Sequence, residues 1–362
     1  MYYKENWDET KERYIKWWNK KLDGALIQVY SPKEGISKRT IVWDGWNLVR
    51  NIDNPEKGLE EFEVWCREIF FGRDAFPNLF VNYGTGVMAA FLGAVTPKVT
   101  NDTVWFEEPR PWDEVFKCLN FNSDSFWWNL VKDTTKIALK RGKDKFIVAM
   151  TDYVGALNIL ADLRGTQNLL LDLNDEPEKV IFASKKLTEL WFKYYTELSE
   201  IISKEQDGFS SWIPIWCPKR WYPVQCDFSY MISPKMFEKF VLPLIEEECR
   251  FLDYSIYHLD GPGEIPHLEM LLDIPELTGI QWVPGAGNPD CSSSKWYSLY
   301  KRIQARNKLL VLDIPNPMDL DSLFQEISPS GVFITTYSRT ESEAKELLKK
   351  AKKWTTLNFP RV

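Results

Sequence analysis

The stretch YSIYHLDGPGE, Tyr254 to Glu264, decides how this chain is read. It alternates like a strand through Leu259 and then breaks at Gly261-Pro262-Gly263. Side chains two apart on a strand point the same way. His258 and Asp260 therefore share one face at the strand's end. The chain has 362 residues and two histidines, so an imidazole placed there is worth explaining. A strand that stops at a polar pair and a glycine turn is what a parallel α/β protein shows at the carboxyl ends of its strands, where ligands bind.

Seven further runs of similar length lie on either side of it: ALIQVY (25–30), NLFVNY (78–83), FIVAMT (146–151), WIPIW (212–216), TGIQWV (278–283), KLLVLDI (308–314) and GVFITT (331–336). Helical patterns separate them. SPKMFEKFVLPLIEEECRFL opens with Ser233 as a cap and Pro234 at the first helical position. PEKVIFASKKLTELWFKYYTELSEII is a long amphipathic helix, and ESEAKELLKKAKKW a short charged one. Eight strands alternating with helices predict an α/β fold, a closed (β/α)₈ TIM barrel. An N-terminal helical extension bearing Trp7, Tyr14, Trp17 and Trp18 packs onto it. The intervals 30–78 and 83–146 are too long for one helix each and carry extra elements over the barrel mouth. No Pro/Ser/Gly-rich linker divides the chain, so residues 1–362 are read as a single domain.

Composition narrows the partners. A formal net charge of -7 offers no general attraction to nucleic acid or anionic lipid. No apolar run is long enough to span a bilayer. Six scattered cysteines without a C-x-x-C pair read as reduced thiols of a cytoplasmic protein. G-x-G-x-x-G is absent after the first strand, and there is no P-loop and no G-x-S-x-G. Cys226 has no histidine beside it to activate it as a nucleophile.

A barrel keeps its active site at the carboxyl ends of its strands. On these strands that rule selects Asn82, Asp152, Tyr153, Trp216, His258, Asp260, Trp282, Asp313, Thr335 and Thr336. Asp227, before the capped helix, and Glu264, after the glycine turn, join them. His258, Asp260, Asp227 and Asp152 are assigned to catalysis. Asn82, Tyr153, Trp216, Glu264 and Trp282 are assigned to the substrate, a small molecule. Catalytic zinc takes three protein ligands. His258 and Asp260 supply two, and Cys291 or Glu264 a third only where the fold brings it close, so the sequence leaves a metal open. His267, after Pro266, reads as a surface or capping residue. Carboxylates at strand ends with Trp216 and Trp282 nearby also suit carbohydrate chemistry, with one acid, one base or nucleophile, and ring platforms. A ligand-binding barrel without catalysis has the same outline.

GALNILADLRGTQNLLLDLNDEPEKV, CDFSYMISPKMFEKFVLPLI, IYHLDGPGEIPHLEMLLDIPELTGIQWVPGAG and the C-terminal GVFITT…ESEAKELLKKA together resemble the superfamily of uroporphyrinogen decarboxylases and corrinoid-dependent methyltransferases, in particular its divergent bacterial members. The resemblance runs from about residue 145 to the end. It implies a TIM barrel. Its methyltransferase branch implies transfer of a methyl group from a small methylated compound, with a corrinoid protein or a thiol as partner. That branch holds zinc through H-x-C and a late cysteine. Here His258 stands at the histidine, Asp260 replaces the cysteine, and no cysteine follows Cys291. The decarboxylase branch opens with an arginine-rich loop. VYSPKEGISKRT has Lys33, Lys38 and Arg39 without that motif, Asn82 stands for an aspartate, and Asp162 for a tyrosine. Porphyrinogen decarboxylation is therefore not expected.

Overall fold

The structure, a computed structural model, describes residues 1–37, 39–100 and 103–354; Lys38 lies outside the described residues. Eleven strands are present among them: β1 (Leu26–Pro32), β2 (Ile69–Arg73), β3 (Asn78–Phe80), β4 (Lys98–Val99), β5 (Val104–Trp105), β6 (Ile147–Ala149), β7 (Trp221–Gln225), β8 (Tyr254–Asp260), β9 (Gly279–Val283), β10 (Leu309–Asp313) and β11 (Val332–Tyr337). The central sheet has seven strands in the order β2-β1-β11-β10-β9-β8-β7. All pairings in it are parallel except β1 with β2. β3 and β6 form a separate parallel pair, and β4 and β5 a small hairpin.

Helices cover the outer side, as hydrophobic runs buried on both faces require. The Ser233 hydroxyl accepts the Met236 N–H at 3.3 Å, as a capping serine does. The helix it starts is not continuous: it runs from Pro234 to Phe240 and restarts at Leu242, with Pro243 in the first turn of the second piece. Proline lacks the N–H that an uninterrupted helix needs there. The amphipathic helix Pro177–Ser203 and the capped helix Glu341–Ala351 lie where the periodicity put them. α1 (Trp7–Trp18) packs against the end of the sheet. Tyr14 donates its hydroxyl to the Asp74 carbonyl at 2.9 Å, and the Trp18 indole donates to the Trp216 carbonyl at 3.0 Å. The fully buried Asp74 carboxylate takes both arms of Arg13, at 2.6 and 3.0 Å, and the Ile27 N–H at 2.7 Å.

Three features differ from the closed eight-stranded barrel expected from the sequence. Residues 212–216 are a loop. Phe209 and Cys217 exchange backbone hydrogen bonds on either side of it, so the chain reverses instead of extending. The strand is the following segment, β7, although it contains Pro223. Among the described residues β7 pairs only with β8, and an edge strand tolerates a residue without an N–H. Second, β2 occupies the edge of β1 that a closed barrel would give to β3. Third, the ladder is interrupted between β6 and β7. The Tyr222 hydroxyl spans that gap, donating to the Thr151 carbonyl at 2.7 Å and accepting from the Tyr153 N–H at 2.9 Å. The central sheet is thus parallel but not closed.

Candidate functional site

Asp227, His258 and Asp260 converge at the carboxyl ends of β7 and β8. One ligand atom from each lies within 4.8 Å of the other two, and all three side chains are half-buried. Asp227 begins the short helical turn Asp227–Met231, and His258 and Asp260 are the inward pair near the end of β8. The backbone then turns away at Gly261, whose φ is +83° and whose N–H bonds the Val283 carbonyl at 2.8 Å. The Tyr230 ring lies directly on the glycine turn, and a Cβ at Gly263 would stand 2.6 Å from it. Glycine thus allows both the left-handed backbone and the close ring contact beside the pair.

Register supplies the next partner. Gln281 on β9 pairs with His258, and its Oε1 lies 2.8 Å from His258 Nδ1. A glutamine oxygen only accepts, so in the neutral imidazole this contact puts the proton on Nδ1 and leaves Nε2 as the side that can take a ligand. Trp212 stands edge-on to the imidazole at 5.0 Å and 90°. Asn158 donates to Asp227 Oδ2 at 3.1 Å, while Asp227 Oδ1 is buried without a partner.

Negative charge accumulates here. Burial pushes the Asp227 carboxyl up; the facing His258 pulls it down, and Asp260 adds to the rise. Asp152 is buried beside it and is held well above the usual carboxylate range, by burial first and then by Asp227. Burial and Asp227 push Glu264 up to about 9. Glu264 accepts the Asp260 N–H at 3.3 Å and so braces the turn, while its other oxygen is buried and unpaired.

Other residues chosen from the sequence face elsewhere. Trp282 is fully buried against Trp296, with ring centroids 4.8 Å apart, because neighbours on a strand alternate and Gln281 takes the inward direction. Trp216 packs on Trp7 and donates to the Asp207 carbonyl at 2.9 Å. Tyr153 points into the helical layer, where its hydroxyl donates to the Tyr194 carbonyl at 3.2 Å. Asn82 fastens a loop, donating to the Gly45 carbonyl at 2.9 Å and accepting from the Gly84 N–H at 2.8 Å. Cys291 is buried with its thiol on the Trp282 carbonyl, away from His258. His267 is not on the surface. It is buried, stacked on Phe237 at 4.4 Å and bonded to the Ser229 carbonyl.

A chamber of about 830 Å³ adjoins the cluster. Gln281 and Trp212 belong to both, while Asp227, His258 and Asp260 are outside its lining. Rings dominate its walls: Tyr30, Trp43, Trp65, Phe80, Phe333 and Tyr337. Asp313 and Thr335, two of the strand-end residues, also line it. Gln281 was legible in TGIQWV only as the inward alternative to Trp282. Trp212 carried no signal as long as 212–216 read as a strand.

No protein-family model matches this sequence, and no curated protein matches it. Among solved structures, a methyltransferase from Methanosarcina mazei is similar in fold, with a TM-score of 0.57 and 11% identity over 95% of this chain and 98% of that one. The chain therefore has a methyltransferase-like fold. Among the described residues no helix is long and apolar enough to cross a membrane.

Proposed function

We propose that the protein is an enzyme built on an incompletely closed (β/α)₈ barrel, and that it transfers a methyl group from a small methylated compound to a thiol or a corrinoid protein, with a divalent cation held by Asp227, His258 and Asp260. One observation carries the reading: three donors from two consecutive strand ends converge, and Gln281 holds the imidazole with its lone pair available. A histidine whose other nitrogen is fixed by a hydrogen bond is the usual arrangement of a metal ligand. Side-chain shifts of about an ångström bring the three donors to the roughly 2.1 Å that zinc takes with nitrogen and oxygen. The buried, unpaired Asp227 Oδ1 is the kind of atom a cation satisfies. One nitrogen and two oxygens make a harder set than a thiolate site, so zinc is the first candidate and other divalent ions compete with it.

A cation bound there supplies Lewis acidity, which favours the thiolate form of a thiol or polarises the atom bearing the methyl group. The chain's own residues do the rest. Gln281 and Trp212 orient His258, Asn158 orients Asp227, and Glu264 braces the backbone of Asp260. In the transfer the donor atom keeps the electron pair of the broken bond, and the acceptor supplies the pair of the new one. The chamber next to Gln281 and Trp212 provides the room for the methylated compound. The two ring platforms assigned to carbohydrate chemistry, Trp216 and Trp282, both turn away from the carboxylates.

Elemental analysis after zinc loading and desalting tests the reading. We expect one ion per chain in the wild type and none in His258→Ala or Asp260→Asn. Equal retention by wild type and both variants, or no retention by the wild type, overturns it.

A further inference from the structure

The chamber wall carries polar groups that the metal cluster does not use. Thr335 pairs with Asp313, so the two stand side by side at the ends of β11 and β10. Gln281 lies one strand over and two residues deeper, because it pairs with Val311. Its Oε1 serves His258, while its Nε2 makes no hydrogen bond among the described residues. The Thr335 hydroxyl and the Asp313 carboxylate make none either, and all three residues line the chamber. From outside this sheet come Asn78 and Trp212. The Asn78 amide is fastened to the Ser211 carbonyl at 2.9 Å, next to Trp212, and its Oδ1 is buried without a partner. The Trp212 indole N–H is buried without one as well, and so are the hydroxyls of Ser31 and Ser338 in the same lining.

Rings alternate with these groups. Trp43 and Trp65 are half-buried in the lining, and the fully buried Phe62 backs both, at centroid distances of 4.9 and 5.6 Å. Tyr30 and Tyr337 stack 6.0 Å apart with 30° between their planes. Charge is matched: the lining holds Arg39 and Arg339 against Asp44 and Asp313, and all four are exposed. A chamber of about 830 Å³ is in the size range of small-molecule sites.

We propose that the chamber binds a neutral polyhydroxylated ring, a sugar or cyclic polyol, and that an O-methyl ether of this ring is the methyl donor. Such a ring has C–H faces that lie on aromatic surfaces and an edge of hydroxyls that both donate and accept. The wall answers each part. Trp43 and Trp65 offer ring surface, Gln281 Nε2 and the Trp212 N–H donate, Asn78 Oδ1 and Asp313 accept, and the Thr335 hydroxyl does either. A purely apolar ligand would leave those groups unpaired in a closed space, which is costly. A ligand of strong net charge gains nothing from guanidiniums and carboxylates in equal number. Gln281 also pairs with His258, on the next strand about 4.8 Å away, so an ether oxygen held by its Nε2 has its methyl group beside the cluster. In transfer to a thiol, the ring oxygen keeps the electron pair of the broken O–C bond and takes up the proton the thiol loses, while the thiolate sulfur supplies the pair of the new S–C bond. The inference deepens the proposed function by naming its substrate class, and it rests on that reading for the role of the ether.

Calorimetric titration of the full chain tests it, with methyl glucoside, methyl galactoside, methyl mannoside, methyl xyloside and an O-methylated inositol as probes. Methoxycyclohexane is the control, a ring of similar size with the ether and no hydroxyls. At least one probe is expected to bind about tenfold or more tightly than the control, since a site built for hydroxyls rejects a ligand that lacks them. Asp313→Ala, at an exposed position, should remove most of that preference and leave the control's binding unchanged. Trp43→Leu should weaken probe and control alike, with thermal melts to show that both variants are folded. The proposal is overturned if no probe is preferred to methoxycyclohexane, if Asp313→Ala keeps the preference, or if Trp43→Leu binds the preferred probe as wild type does. Repeating the titration on protein stripped with EDTA separates the two readings. Preference for a hydroxylated ring without any zinc uptake sinks the metal centre alone; zinc uptake without that preference sinks the present inference alone.

Discussion

Replacing Gln281 with Leu removes one acceptor and little volume. Its Oε1, 2.8 Å from His258 Nδ1, is the hydrogen bond seen on that nitrogen, and it fixes which nitrogen carries the proton. Leucine leaves the half-buried N–H without a partner, at a cost of about 1–3 kcal/mol. It also frees the ring to rotate and to take the other tautomer, so the lone pair is no longer aimed at Asp227 and Asp260. Loss of such an outer partner lowers metal affinity by about 10–100-fold. That is roughly 1.4–2.8 kcal/mol, the same size as the lost hydrogen bond. The assay is zinc competition against a coloured chelator near neutral pH, run on wild type, Gln281→Leu and Gln281→Glu. The leucine variant should lose affinity in that range, and the glutamate variant, still an acceptor, should hold or exceed wild type. Zinc affinity unchanged in Gln281→Leu would refute the argument that this contact sets the imidazole for a cation.

Stability offers independent checks. Glu248 is buried and, chiefly for that reason, ionises only at about 8 in the folded chain. Its folded value is raised, so its carboxyl destabilises the fold progressively as pH climbs from the ordinary glutamate range to about 8; Glu248→Gln should add on the order of a few kcal/mol at pH 8 and nearly nothing at pH 4, read from urea melts at the two pH values. Asp74→Ala strands Arg13 and the Ile27 N–H and should cost about 3–5 kcal/mol in the same melts, which would be wrong if the loss stayed below 1 kcal/mol. Gly155→Ala places a Cβ 2.0 Å from the Gln225 carbonyl oxygen, so the backbone joining the Asp152 and Asp227 segments must move; zinc affinity should fall with stability, and an unchanged variant would contradict the packing described. Uroporphyrinogen should show no conversion to coproporphyrinogen by chromatography, since in the chamber's lining the guanidiniums of Arg39 and Arg339 are matched by the carboxylates of Asp44 and Asp313; turnover at ordinary enzyme rates would reverse that view.

Local pattern carried much of the outcome. Alternation along YSIYHLD puts His258 and Asp260 on one face, and Gly261 and Gly263 mark where the chain must turn, because both are consequences of neighbours along a single strand. Caps and periodicity likewise located the helices beginning at Pro234 and Glu341. Decisions that belong to pairing between distant segments were made only in three dimensions. Whether a run containing proline can be a strand depends on which of its edges has a partner. That choice excluded 212–216, admitted Trp221–Gln225, and so sent Trp216 into the aromatic layer around α1 and left Trp212 free to meet His258. Which of two adjacent residues faces the site depends on register against the next strand, and that made Gln281 the partner and turned Trp282 to the helices. Closure of the sheet depended on whether β1's open edge met β3 or β2. The chain itself specifies periods and breaks; only the set of long-range hydrogen bonds specifies edges and register, and those place the side chains that make the site.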